Sequence, residues 1–69
     1  MPYTSEDLVI AERHVAEGEQ HVARQEEIIS KLQLLGADTT VAEQLLSEFQ
    51  ATLKMHRRDR DRISAELGR

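Results

Sequence analysis

The chain has no cysteine and no tryptophan, and its only proline is Pro2. Without cysteine there is no disulfide, no thiolate metal site and no cysteine nucleophile. Aromatic carbon is almost absent too, with Phe49 and Tyr3 the sole examples. Such a profile suits long solvated helices better than a compact mixed fold. No apolar run approaches the roughly 20 residues that span a bilayer. Residues 1–7 lack the basic start and apolar centre of a signal peptide. A cytoplasmic setting without membrane contact is therefore expected. The net charge of −4 is the wrong sign for a general nucleic-acid binder. There is no Ser-His-Asp pattern and no glycine-rich phosphate loop, so neither enzymatic activity nor a cofactor is expected.

Sixty-nine residues make one small domain, 1–69, whose own core is marginal. Subunit association is the remaining way to bury more surface.

What the chain does contain is a repeat. Residues 11–31 read as three seven-residue blocks, Ala-Glu-Arg-His-Val-Ala-Glu, Gly-Glu-Gln-His-Val-Ala-Arg and Gln-Glu-Glu-Ile-Ile-Ser-Lys. In a helix these blocks lay a seam through Leu8, Ala11, Val15, Gly18, Val22, Gln25, Ile29 and Leu32. The spacing alternates three and four, the pattern of a gently supercoiled heptad. Thr4 or Ser5 is placed to cap this first helix, with Glu6 and Asp7 in its first turn. The helix should run over about 5–35. Gly36 fits the left-handed residue that ends helices, giving a turn at 36–39. Thr40 and Glu43 match a capping box for a second helix over about 40–67, with Asp38 as the rival cap. That helix carries a second seam: Ala42, Leu46, Phe49, Leu53, His56, Arg60, Ile63 and Leu67.

So short a connection forces the helices antiparallel. Folding about the turn pairs Leu32 with Ala42, Ile29 with Leu46, Gln25 with Phe49 and Val22 with Leu53. Further out it sets Gly18 against His56, Val15 against Arg60, Ala11 against Ile63 and Leu8 against Leu67. Near the turn each helix is apolar beyond its seam, at Ile28 and Leu35 on the first and Val41 and Leu45 on the second. One partner helix cannot cover both stripes. The expected fold is all-α, an antiparallel two-helix hairpin, coiled-coil-like, that dimerises into a four-helix bundle. Its core and dimer interface would comprise Val22, Ile28, Ile29, Leu32, Leu35, Val41, Leu45, Leu46, Phe49 and Leu53. The expected function is a non-enzymatic protein-interaction or oligomerisation module, acting as a homodimer or on another protein through the stripe near the turn.

Two constellations suggest chemistry. His14 and His21 stand seven apart with Glu17 between them, and His56 comes from across the hairpin. Imidazole with carboxylate suits zinc or another transition metal, so His14, Glu17, His21 and His56 form an alternative metal site. Histidine-kinase dimerisation hairpins also carry a histidine on their first helix, but here His14 and His21 are each followed by Val-Ala rather than by the usual acid. The segment 54–62 places Lys54, Arg57, Arg58, Arg60 and Arg62 among Asp59 and Asp61. Contact with nucleic acid through Arg57–Arg62 is a second alternative. The interleaved aspartates, and the acidic neighbour carrying Glu6, Asp7, Glu12, Glu17 and Glu19, favour a solvated face with cross-helix ion pairs.

The stretch from His14 to Gln25, the turn Gly36-Ala-Asp-Thr-Thr and the run from His56 to Ile63 resemble a group of small helical-hairpin proteins of alphaproteobacteria. The resemblance covers about Leu8 to Leu67. It implies a bacterial cytoplasmic setting and an accessory role beside signalling proteins, and brings no assigned activity.

Overall fold

A computed structural model describes residues 2–68. They form two helices, α1 (Ser5–Leu34) and α2 (Thr40–Glu66), packed against each other, with no strand among the described residues.

α1 begins where Thr4 is still extended. The Thr4 hydroxyl accepts the Asp7 N–H at 3.3 Å, and the Asp7 carboxylate accepts the Thr4 N–H at 2.9 Å. This reciprocal box satisfies two amides that a helix start leaves without partners. At the other end Gly36 takes φ 69°, a conformation that costs a side chain-bearing residue about 1–2 kcal/mol. The reversal lets the Gly36 N–H donate to the Gln33 carbonyl at 3.0 Å and the Ala37 N–H to the Leu32 carbonyl at 2.9 Å. Those two bonds close the helix as a Schellman motif.

The start of α2 departs from the expected capping box. Asp38, not Thr40, is the acceptor there: its carboxylate accepts the Thr40 hydroxyl at 2.7 Å and the Thr40 N–H at 2.9 Å. With its hydroxyl turned toward Asp38, Thr40 does not cap the Glu43 amide, which donates to the Thr39 carbonyl at 2.8 Å. The hydroxyl bond first, and the amide bond after it, hold the Asp38 carboxyl below its ordinary pKa. A carboxyl depressed in the folded state adds stability at pH values above its unfolded pKa. That contribution disappears as acid protonates it. Wild type should therefore exceed Asp38→Ala in urea stability at neutral pH, with the gap narrowing as acid protonates Asp38 in the wild type. A gap of equal size at both ends of the titration refutes this role.

The hairpin measures 52 × 14 × 13 Å. Its radius of gyration is 15.7 Å, against about 11 Å for a compact domain of this length. Each residue of both seams is buried or half-buried. Leu8, Ala11, Val15, Gln25, Ile29, Leu53 and Ile63 are the buried ones. At the open end Leu8, Ala11 and Ile63 form one cluster, covered by Tyr3 and Leu67.

The axial register differs from the expected pairing by about one helical turn. Gly18 faces Leu53 rather than His56: a Cβ added to Gly18 would lie 3.0 Å from Leu53 Cδ1 and 3.6 Å from its Cα. Gln25, buried on the seam, reaches the first turn of α2, where its side-chain N–H donates to the Ala42 carbonyl at 2.9 Å. The reason is geometric. In interlocking antiparallel helices a residue that follows a three-residue step packs beside one that follows a four-residue step, so like positions do not face each other. A buried polar group bonded across the seam fixes this register at some cost in stability. Among the described residues no buried side-chain polar atom lacks a partner.

Candidate functional site

Because the helices are antiparallel, residues directly preceding seam positions point to the same side of the hairpin from both helices. On α1 these include His14, His21 and Ile28, and Leu35 continues the stripe at its cap. On α2 they include Val41, Leu45, Thr52, Met55 and Asp59. The surface grooves agree: His14 and His21 share one with Thr52, Phe49 and His56, and His21 shares another with Ile28 and Phe49.

This side collects most of the apolar surface left open. Ile10, Ile28, Leu35, Val41, Leu45 and Met55 are all exposed large hydrophobic side chains and all lie on it, whereas Val9 and Leu34 lie elsewhere. The range is wide, from Leu45 at 38% to Leu35 at 81% exposed. The opposite side is charged and is tied across the helices by Arg57 and Glu19, 3.3 Å apart.

Of the residues expected in a core and dimer interface, Ile29 and Leu53 are buried, and Val22, Leu32, Leu46 and Phe49 are half-buried. Ile28, Leu35, Val41 and Leu45 remain exposed. Sequence inspection singled out neither Ile10 nor Met55, although each directly precedes a seam residue and the heptad alone places them on this side.

The three histidines fall into two separate ring contacts. His14 and His56 bring their ring centroids to 5.0 Å at 44°. His21 instead rests on Phe49, centroids 5.5 Å apart. The four-residue set of His14, Glu17, His21 and His56 is not gathered around one point. Among the described residues no group of three or more His, Asp or Glu is arranged to hold a metal ion. The spacing explains it: a seven-residue step along a helix is a rise of about 10 Å, far beyond what metal–nitrogen bonds of about 2 Å can bridge.

The basic segment is largely engaged. Arg57 bonds Glu19 across the hairpin, Arg60 bonds its neighbour Asp61 at 2.9 Å, and Arg62 bonds Asp59. Of the cross-helix pairs expected from charge, Glu19 with Arg57 is formed. The aspartates within α2 take Arg60 and Arg62, partners that need no second element to be ordered.

No helix among the described residues is long and apolar enough to cross a membrane. The fold is thus an all-helical, two-helix hairpin. No protein-family model matches the chain, and no curated protein or solved structure matches it.

Proposed function

We propose that the chain is a non-enzymatic interaction module whose open apolar side pairs with the same side of a second copy, giving an antiparallel four-helix bundle. The observation that carries this is the concentration of exposed large apolar side chains on one side, while the other is charged. Area supports it as well. A compact monomer of this mass exposes about 4,400 Å², and this hairpin exposes 5194 Å². The excess, roughly 800 Å², is what each partner covers in a standard interface.

The copies lie with turn beside turn. Ile28, Leu35, Val41 and Leu45 crowd the turn end, while the groove at the open end is lined by Asp7, Asp59 and Arg62. Matching ends bury apolar surface against apolar surface at the turn and keep the charged groove of one copy away from the apolar turn end of the other. The resemblance to alphaproteobacterial hairpin proteins supports a bacterial, cytoplasmic adaptor or accessory regulator. The arginines of α2 favour no rival reading, since Arg57, Arg60 and Arg62 already hold carboxylates.

Sedimentation equilibrium on the full chain tests the pairing. A dimer is expected at micromolar concentration, and Leu45→Glu should give a monomer that keeps its helical circular dichroism, because Leu45 lies off the seam. A folded wild-type monomer under those conditions overturns the reading.

A further inference from the structure

We propose that His14 and His56 together form a two-point binding site for a divalent transition-metal ion such as zinc, bridging α1 and α2. The two rings come from different helices and stand 5.0 Å apart, centroid to centroid. A tetrahedral zinc holds its nitrogens at about 2.0–2.1 Å, which puts two bound ring centroids about 5 Å apart. The pair is spaced for that geometry before any ion arrives.

Neither ring is otherwise committed. Among the described residues no hydrogen bond or ion pair engages His14 or His56, so a nitrogen of each is free to ligate. The neighbouring carboxylates are occupied. Asp59 is bonded to Arg62, and Asp7 accepts from both the Thr4 N–H and the Thr4 hydroxyl. Both aspartates line the same groove as the two histidines, where they lower the cost of bringing in a dication while the rings supply the bonds. Arg62 lines it also, but its charge is paired with Asp59. Water fills the remaining coordination positions, in keeping with the lack of a third protein ligand.

His56 occupies a seam position, where an apolar residue would pack better. An imidazole there, half-buried and meeting a second imidazole, is spent on packing alone unless something joins the two. An ion that bonds one ring from each helix ties the open half of the hairpin together. It binds the folded chain and not the unfolded one, so stability rises with metal concentration.

Zinc chloride titration of the purified full chain tests this, read by thermal melting and by the imidazole NMR signals. The melting temperature should climb with the logarithm of zinc once the site saturates, at one ion per chain. The His14 and His56 signals should move together while those of His21 stay in place. Magnesium, which prefers oxygen ligands, should leave the melt unchanged. His14→Ala should remove the zinc response, and, His14 being exposed, should not disturb folding; His21→Ala should keep it. The proposal is overturned by an unmoved melt at millimolar zinc, by a response that survives His14→Ala, or by one ion shared between two chains. Sedimentation without zinc reads the dimer separately, so failure of either idea leaves the other standing.

Discussion

Leu53→Ala should lower the free energy of unfolding by about 2–5 kcal/mol, the range for removing a buried leucine side chain. Leu53 is 5% exposed and sits directly over Gly18. A chain of this length has a total stability of only about 3–10 kcal/mol, and at about 4–8 °C per kcal/mol the variant should melt roughly 10–40 °C below wild type. Its partner residue sharpens the test. Gly18→Ala alone gains about 1 kcal/mol of helix propensity, but its new methyl would press 3.0 Å against Leu53 Cδ1. In wild type most of that gain should be lost to moving a buried methyl. In the Leu53→Ala background the obstruction is gone, and Gly18→Ala should recover its full value. Urea unfolding of the four proteins at one fixed concentration measures the coupling. Strict additivity would show that Gly18 and Leu53 are not in contact.

Ile29→Asp should prevent folding at neutral pH. Ile29 is buried on the seam near the turn, where the neighbouring seam positions, Gln25, Leu32, Ala42 and Leu46, carry no positive charge. Burial of an unpaired charge costs more than the hairpin has to give. The pH dependence has the opposite sign to that of Asp38. Burial raises the pKa of the introduced carboxyl above its unfolded value, so the penalty is complete at neutral pH and eases as acid neutralises the group. Circular dichroism should therefore show a disordered variant at pH 7 that regains helix as the pH falls through the carboxylate range. Recovery of helix on raising the pH instead would mean that the introduced carboxylate finds a partner or stays in water.

How much of this was open to inspection of the sequence follows from the physics of each feature. The heptad places side chains by rotation alone, so the buried faces could be read from spacing: Leu8, Val15, Ile29, Leu53 and Ile63 are all where three-four alternation puts them. Gly36 could be read because few residues other than glycine adopt its φ. Register was harder. It depends on how tightly the connection closes and on how the seams interlock, and neither leaves a mark in the spacing of one helix. That is why Gly18 was expected against His56 and is found against Leu53. The cap of α2 was ambiguous because Asp38 and Thr40 are both good acceptors, and only the backbone path decides which amide each can reach. Metal geometry was obscured for a related reason. Seven-residue spacing shows that His14 and His21 share a side, while the distance along the axis, and the preference of His21 for Phe49, keep them from sharing a ligand.

The unequal sides of the hairpin also limit how far it can assemble. A body that is adhesive all round, or at two opposed places, goes on recruiting copies into a filament. In the pairing proposed above, a copy docked on the apolar side would present to a third copy a reverse side that carries the Arg57–Glu19 ion pair and only isolated apolar side chains such as Val9. A self-complementary contact of that kind would end in a closed pair.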